Sequence, residues 1–371
     1  MPFRVPIRRG LLCKFLSLMV KMGQNRPDLT PHNPRLFNML HRPLYRFLGR
    51  FLQRYDRRKI AVKILLANDF DYAISHAQLV NSRSILFSCD IYPQNPESSI
   101  ANTPYLNSIP DQLKNLALKG LNRAPSMYVP SDGIAYFAQN ILSKINTPFV
   151  LVSGDSDLPI NVNSLNGALE VLLQSPLLIA WFAQNRDFDH VKLHSLPIGI
   201  NLHNLWGNPL QWGGGFILPT LQELKLQNIA ENAPPIAQRI PKIFCNWHFS
   251  IDRADRKACY DQIDHSVCFF QPEPLPVGQT WQSQAQYQFV LSPHGAGLDC
   301  HRTWEALLLG CIPIVKTAKL NDLFEDLPVV VVNDWGQINS AFLGNALTCG
   351  IKPINTEKLM MRYWKTQISS A

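Results

Sequence analysis

Three ionisable residues in the C-terminal third of the chain fall on one stripe of a predicted helix. Glu305 lies four residues after His301 and three after Arg302, a spacing that places all three on the same helical face. The other positions of this helix are apolar, so the charged groups need partners if the helix is buried. The pattern predicts a binding site for a polar ligand, and an internal salt bridge at a domain surface is the alternative.

A glycine turn precedes this helix. Gly295 and Gly297 follow the apolar run Gln288–Leu291, and Asp299 is the predicted N-cap. A strand that ends in a glycine turn and opens a helix brings backbone N–H groups and the positive end of the helix dipole to one point. This arrangement suits a phosphate, although Gly-x-Gly alone is a weak signal.

A second turn of the same kind lies earlier in the chain. The run Lys242–Trp247 predicts a strand, and Asp252 predicts the N-cap of the following helix, with Arg253 and Arg256 in its first turns. Two helix starts that carry arginines at one edge of a sheet would attract an anion. Solvated arginines beside neighbouring acids are the alternative interpretation.

The elements that must position these residues are short apolar runs that alternate with helical stretches. This alternation predicts an α/β fold with two Rossmann-like domains that face each other across a cleft, preceded by a helical appendage. The Pro-Pro pair at 234–235 marks the boundary between the two domains. The strand candidates are Ile85–Cys89, Phe149–Ser153, Leu177–Phe182 and Lys192–Pro197 in the first domain, and Lys242–Trp247, Val267–Phe270, Gln288–Leu291, Ile312–Lys316 and Val329–Val332 in the second.

The predicted organisation has four parts. Residues 1–59 form a basic helical segment, and residues 60–233 form an α/β domain that would hold an acceptor. Residues 234–345 form the Rossmann-like donor domain, and residues 346–371 form a C-terminal helix that packs back on the first domain.

The net charge of +8 comes from the N-terminal segment. Residues 1–60 carry 14 Lys and Arg against two acids, a net charge of +12, and the remainder carries −4. Arginines recur every four residues from 42 to 58 between apolar side chains, which predicts a basic amphipathic helix that can lie on an anionic membrane surface. A helix packed on the body with a solvated arginine face is the alternative. Its aromatic residues follow the helical spacing typical of packing, so no nucleic-acid partner is predicted.

The cysteines and the apolar runs indicate in which cell compartment the protein is found. The eight cysteines include no C-x-x-C pair and no zinc-type spacing, which favours free buried thiols in a reducing compartment. No apolar run reaches the roughly 18 residues of a membrane-spanning helix, and no signal peptide is recognised. We expect a cytoplasmic protein, peripheral at a membrane through residues 42–58, without a resident metal or cofactor.

One continuous string carries a resemblance to a known family. Residues 289–315, Phe-Val-Leu-Ser-Pro-x-Gly-x-Gly-x-Asp-x-His-Arg-Thr-Trp-Glu-Ala-Leu-x-x-Gly-x-Ile-Pro-Ile-Val, resemble the nucleotide-sugar half of exostosin-type glycosyltransferases, which have the GT-B architecture. The similarity extends more loosely over residues 145–335, through the segments 152–160, 181–185 and 196–200. It implies an inverting, metal-independent transfer of a sugar from a nucleoside-diphosphate sugar to a glycan or lipid-linked acceptor. A non-catalytic nucleotide-sugar or glycan-binding protein with this fold is the alternative.

The resemblance also implies which residues bind the donor. In the family the arginine of the earlier turn faces the diphosphate, and Glu305 would hold the ribose hydroxyls. Position 294 is His where the family often has a smaller or apolar residue. The implied donor-binding residues are His248, Arg253, Arg256, Ser292, His294, Gly295, Gly297, Asp299, His301, Arg302 and Glu305.

An inverting transferase needs a base near the acceptor hydroxyl. Asp157, with Asp155 second, is the candidate, because both follow the strand Phe149–Ser153 and would lie at its carboxyl end, where α/β sheets bind ligands. His76, Asp69, Asp71 and Asp90 compete for the role because they also follow apolar runs. Asp-x-Asp is also a pattern that binds a divalent ion in another class of glycosyltransferase. That alternative is not favoured, since the arginines and helix ends that anchor a diphosphate without a metal are present.

Overall fold

The computed structural model describes residues 71, 73–94, 103–203, 219–350 and 356–371, with the side chains of 348–350 excepted. The chain divides into two compact units, Met1–Ala67 and Asn68–Ala371. The predicted basic helix at 42–58 lies outside the described residues, and so does Asp69. The description below concerns the second unit.

The unit contains two parallel sheets, and the α/β class predicted from the sequence is confirmed. The first sheet has the order β1-β2-β3-β4, without a reversal. The second has the order β6-β5-β7-β8-β9, so the chain passes from β6 across β5 to β7. The strands are β1 Ser126–Pro130, β2 Phe149–Gly154, β3 Leu178–Ala183, β4 Leu193–Ser195, β5 Ile240–Cys245, β6 Cys268–Phe270, β7 Tyr287–Leu291, β8 Ile312–Lys316 and β9 Val330–Val332.

Helices connect most of the strands, whereas the parallel neighbours β3 and β4 are joined by the loop 184–192, which contains no helix. Short 3₁₀ turns occupy several of the loops, including His248–Ser250 and Lys319–Phe324. In the described residues the α-helices are α1 Ser82–Phe87, α2 Thr103–Leu118, α3 Ile134–Asn140, α4 Val162–Leu165, α5 Ala168–Gln174, α6 Pro219–Glu231, α7 Arg256–Gln262, α8 Val277–Gln284, α9 His301–Leu308, α10 Ser340–Gly350 and α11 Met361–Ser370.

Alternation along the strands distributes the apolar side chains over three cores. In β2, Phe149 and Leu151 enter a core beneath the first sheet, whereas Val150 and Val152 point to the opposite side. That opposite side belongs to a core shared with the second sheet, which contributes Val290. A third core covers the far face of the second sheet. Because strands buried on both faces need apolar residues throughout, the sequence shows them as continuous apolar runs.

The C-terminal helix α11 closes the shared core. Its Trp364 and Ile368 are buried there, and Met361 N donates to the carbonyl of Gln78 at 2.8 Å. Residue Leu79 also pairs with Met360 in an antiparallel bridge. The last residues of the chain therefore lie against the segment that precedes the first sheet.

The sequence predictions fail at a few elements. The run predicted as a strand at 85–89 is helix α1, because Asn81 caps it by accepting from Ser84 N at 2.8 Å. Strand β1 had no counterpart in the sequence prediction. The predicted single helix at 164–173 is two helices, α4 and α5, since Asn166 and Gly167 between them have φ of 45° and 81°.

The carboxyl edges of the two sheets meet. After β3, Arg186 donates from Nη1 to Asp189 at 3.0 Å and contacts Asp322 of the second sheet's loop at 3.1 Å. Ser195, the last residue of β4, donates to the same Asp322 carboxylate at 2.5 Å. These bonds hold the ends of β3 and β4 against the loop that follows β8.

Candidate functional site

The second sheet has one topological switch point, between β5 and β7. Strand β6 lies on one side of β5, and β7 continues the sheet on the other side. In doubly wound sheets, ligands bind in the crevice outside the carboxyl ends of the two strands at this point. The loops that follow β5 and β7 contain most of the residues expected to bind the donor.

Two guanidinium groups lie together at this crevice. Arg302 donates from Nε to Asn246 Oδ1 at 2.9 Å, whereas its Nη1 is buried without a hydrogen-bond partner. Arg256 donates weakly from Nη1 to Ser250 O at 3.3 Å, and its Nε is also buried without a partner. Burial, followed by the charge of Arg302, lowers the pKa of Arg256 below its usual range. The two side chains together bring positive charge and N–H donors without hydrogen-bond partners to one place.

Neither guanidinium is neutralised by an ion pair within the described part of the chain. Like charges held together in a partly buried place are unfavourable unless an anion joins them. A diphosphate supplies several acceptor oxygens and the compensating charge. The geometry at the switch point is therefore that of an anion site.

The two glycines of the turn are packed against different partners. A Cβ at Gly295 would lie 3.2 Å from Arg256 Nη2, so the loop lies directly beside the anion site. A Cβ at Gly297 would lie 2.9 Å from the side-chain amide of Asn185, which belongs to the first sheet. Gly297 thus permits close approach of the other sheet, whereas Gly295 permits close approach of the arginine.

A histidine and an acid lie behind the arginines. His294 Nδ1 is 4.0 Å from Asp255 Oδ2, which also accepts from the indole N–H of Trp335 at 3.2 Å. The other oxygen of Asp255 is buried without a partner. Burial lowers the pKa of His294, against the opposing effect of Asp255. Sequence reasoning did not select Asp255 or Asn246, since both are ordinary polar residues in a loop.

Three expected donor residues differ in accessibility. His248 lies on Phe249, with ring centroids 4.2 Å apart, and its edge meets Phe270 at the end of β6. Its Nδ1 is buried without a partner, and burial lowers its pKa. Arg253 is exposed to solvent, whereas Ser292 is buried and its hydroxyl bonds Thr303 Oγ1 at 2.9 Å.

Asp299 connects the two sheets. Its Oδ2 accepts from Ile198 N of the first sheet's last loop at 2.8 Å, and the indole of Trp304 donates to both carboxylate oxygens. Its own backbone N donates to Asn185 Oδ1 at 3.0 Å. Burial raises the pKa of Asp299 to about 6, against these hydrogen bonds. With its oxygens engaged, Asp299 positions the start of α9.

The N-caps predicted for both site helices are wrong. Cys300 occupies the N-cap of α9, where Asp299 was expected, and Asp299 Oδ1 accepts from Cys300 N at 2.8 Å. Asp255 occupies the N-cap of α7, where Asp252 was expected. The reason in the second case is a turn through Ala254, whose φ of 47° is left-handed and interrupts the helix. Both helices therefore begin later in the chain than the sequence indicated.

His301 faces the first sheet. Its Nδ1 lies 2.7 Å from the carbonyl oxygen of Gly199, and its ring centroid is 6.3 Å from that of His203. Burial lowers the pKa of His301, and Arg302 adds to this effect, while the Gly199 carbonyl and the Asp157 carboxylate oppose it. The first turn of α9 therefore connects the anion site to the carboxylates of the first sheet.

Asp155 and Asp157 follow β2 in different environments. Asp155 has φ of 61° and forms an ion pair with Arg83 at 3.3 Å. Burial raises the pKa of Asp155, against the charge of Arg83. Asp157 is exposed. Arg83, Tyr128 and His203 were not selected from the sequence, and the buried Tyr128 hydroxyl has no hydrogen-bond partner.

Glu305 lies one turn after His301, half-buried beside Trp281. Burial raises the pKa of Glu305 to about 7, while the Trp281 indole and the charge of Arg302 oppose the shift. Near neutral pH the group therefore exchanges a proton easily. Of the other acids in the first domain that sequence reasoning considered, Asp90 is paired with Arg123 at 2.8 Å and takes no part in this site.

The remaining sequence expectations concern thiols, metals and membranes. The six cysteines with described side chains are free, and five of them are buried, as the sequence predicted. Within the described ranges, no group of three His, Cys, Asp or Glu side chains is placed to hold a metal ion. None of the helices in those ranges is long and apolar enough to span a membrane.

No protein-family model matches the chain, and no curated protein sequence matches it. Among solved structures, it is similar to the crystal structure of an α,α-trehalose-phosphate synthase (UDP-forming) from Burkholderia vietnamiensis. The two share 11% identity, the match covers 82% of this chain and 80% of the other, and the TM-score is 0.30. A likeness of this size carries no argument about function, so the proposals below rest on the site itself.

Proposed function

We propose that the protein is a glycosyltransferase that takes its sugar from a nucleoside-diphosphate donor. The diphosphate would bind between Arg256 and Arg302, and the acceptor would approach from the side of Asp155 and Asp157. The observation that carries the proposal is the pair of guanidinium groups with unpartnered buried nitrogens at the β5/β7 switch point.

The arginine pair suits the chemistry of sugar transfer. When the glycosidic bond to the diphosphate breaks, negative charge develops on the leaving oxygen. Fixed donors that already point to that position stabilise the charge without rearranging. Because Arg256 and Arg302 repel each other, a dianion between them would relieve that repulsion as well as bond to both.

Neighbouring side chains would hold the nucleoside. Glu305 lies one turn deeper than Arg302 on α9, where a carboxylate can accept both ribose hydroxyls. His248 and Phe270 form an aromatic surface at the ends of β5 and β6 that a base can stack on. Gln271 follows β6 with its side-chain oxygen buried and unpartnered, an acceptor for a base N–H.

The opposite sheet would hold the acceptor. Asp155 and Asp157 follow β2 at its carboxyl end, and the charges of Asp157 and Arg302 both act on His301. Carboxylates suit hydroxyl groups, so the acceptor class is a glycan or a lipid-linked sugar. We further propose that transfer proceeds with inversion and without a divalent metal, so that a chelator leaves the rate unchanged.

The proposal is tested by a thermal-shift screen of the full chain against UDP-, GDP- and CMP-sugars and the free nucleotides. One diphosphate nucleotide and its sugar should raise the unfolding midpoint, and the protein should release nucleotide from that sugar. Binding of the sugar nucleotide with no release, even in the presence of glycan acceptors, would favour the non-catalytic binding protein. Failure of every nucleotide to shift the midpoint would refute both.

A further inference from the structure

We infer that His301 removes the proton from the acceptor hydroxyl, and that Asp157 stabilises the imidazolium that results. The inference rests on the proposed transferase function. It also departs from the sequence prediction, which gave the proton transfer to Asp157 and placed His301 with the donor-binding residues.

The hydrogen bond to Gly199 sets the tautomer of His301. Its Nδ1 lies 2.7 Å from the Gly199 carbonyl oxygen, which can only accept. Nδ1 therefore carries the ring hydrogen, and Nε2 of the neutral ring carries the lone pair. Burial, which lowers the pKa of His301, keeps the ring neutral near pH 7. A neutral imidazole with a free Nε2 is the form that accepts a proton.

Gly199 is held in place by its own packing. Its φ is 65°, and a Cβ there would come within 2.1 Å of the carbonyl oxygen of Val80. The same carbonyl accepts from Ile200 N at 2.8 Å, and Asn81 pairs with Gly199 in an antiparallel bridge. Only glycine fits this position. The carbonyl that orients His301 is thus fixed by backbone contacts.

The charged groups around His301 are arranged for proton transfer. Asp157 comes from the loop after β2, and its carboxylate raises the pKa of His301. Arg302, on the same helix, lowers it and faces the anion site. His203 packs at 6.3 Å from the other side, with a pKa held well below 6.5 by burial and by the charge of Arg83. Among the described carboxylates, Asp157 therefore acts on the ring, whereas Asp155 is paired with Arg83.

The proposed sugar transfer forms one bond to the anomeric carbon and breaks another. The acceptor oxygen attacks the anomeric carbon of the donor sugar while its proton passes to His301 Nε2. The bond from that carbon to the diphosphate oxygen breaks, and its electron pair stays on the oxygen beside Arg256 and Arg302. The products are the new glycoside, the nucleoside diphosphate and an imidazolium that later returns its proton to solvent. Asp157 and the ring then form a charge pair that exists only after the transfer.

The test uses His301→Asn in the full chain. Asparagine keeps a donor at the place of Nδ1 for the Gly199 carbonyl but has no atom at the place of Nε2. Nucleotide release from the sugar nucleotide that binds best should fall by about 10²- to 10⁴-fold, the range that general-base catalysis contributes. Affinity for the free nucleotide should stay within about threefold, because the donor contacts remain. His190→Asn, at the amino end of β4, is the matched control.

A second variant separates the two roles. Asp157→Asn should move the acidic limb of the pH–rate profile to lower pH and slow release less than His301→Asn does, because the imidazolium loses its carboxylate. In ¹⁵N NMR of the free protein, His301 should be the Nδ1–H tautomer, and its pKa should fall in Asp157→Asn.

The outcomes are distinct. Equal release rates in His301→Asn and wild type, a more severe loss in Asp157→Asn, or an Nε2–H tautomer would each overturn the assignment to His301. Absence of nucleotide binding in the wild-type protein would instead overturn the proposed function itself.

Discussion

Replacing Glu305 with glutamine should stabilise the unliganded protein at alkaline pH. Burial raises the pKa of Glu305 from 4.5 to about 7. A group whose folded pKa is raised contributes stability that is complete below its unfolded pKa and is lost as the pH rises through the folded value. At about 1.4 kcal/mol for each pKa unit, a shift of this size makes the ionised carboxylate cost about 3 kcal/mol.

The measurement is the free energy of unfolding in urea at several pH values. At about pH 3.5 the wild-type protein and Glu305→Gln should be about equally stable, because the carboxyl is then protonated in both the folded and the unfolded protein. At about pH 8.5 the variant should be more stable by roughly 2–3 kcal/mol, since glutamine cannot ionise. The exposed Glu231→Gln variant controls for the substitution itself.

Glu305→Gln should also bind the nucleotide about tenfold more weakly or worse, because a hydrogen bond to a charged group contributes about 1.5–3 kcal/mol. A gain in stability together with a loss of affinity is the combination expected when a strained group is kept for function. If the two proteins differ in unfolding free energy by the same amount at both pH values, the carboxyl is not held in the buried environment described, and the reasoning fails.

Two further substitutions test how the sheets are joined. Asp299→Asn places an amide N–H₂ against donors and should lower the unfolding free energy by about 1–3 kcal/mol, measured by urea denaturation at neutral pH; an unchanged value would contradict the bonding described. Gly297→Ala places a methyl group against the Asn185 amide and should lower the unfolding free energy by about 1–3 kcal/mol. A Cβ at Gly344 would have no heavy atom of a residue outside its own helix within 4 Å, so Gly344→Ala should leave the unfolding free energy unchanged or raise it slightly. Equal thermal midpoints for these two alanine variants would remove the packing argument for Gly297.

The sequence predicted most of the second sheet because its strands are buried on both faces and appear as uninterrupted apolar runs. Ile312–Lys316 was predicted with the bounds that β8 has. The first sheet was harder, since β1 is five residues long and ends in Pro130, and the Asn81 cap that makes α1 a helix is a single hydrogen-bonding residue. A hydrogen bond from a capping side chain determines the secondary structure of α1, and the pattern of apolar residues does not reveal such a bond.

The candidate site was predicted as a set of residues but not as an arrangement. The sequence placed His301, Arg302 and Glu305 on one helix, and the structure describes them there. The sequence could not show that Asp299 forms hydrogen bonds that join the sheets, or that Gly297 leaves space for Asn185. Both features depend on contacts between residues more than a hundred positions apart in the chain. The sequence also does not predict the role of Gly199, because its positive φ and the contact of its carbonyl oxygen with His301 depend on the tertiary packing.

The central claim is that a diphosphate binds between Arg256 and Arg302, and calorimetric titration of a nucleoside diphosphate against its monophosphate tests it most directly. The wild-type protein should prefer the diphosphate by at least about tenfold, a difference of about 1.4 kcal/mol. Arg256→Gln and Arg302→Gln should each lose most of that preference, while Arg362→Gln, a change of an exposed side chain on α11, should keep it. Equal affinities for the two nucleotides in the wild-type protein, or an undiminished preference in both site variants, would contradict the claim.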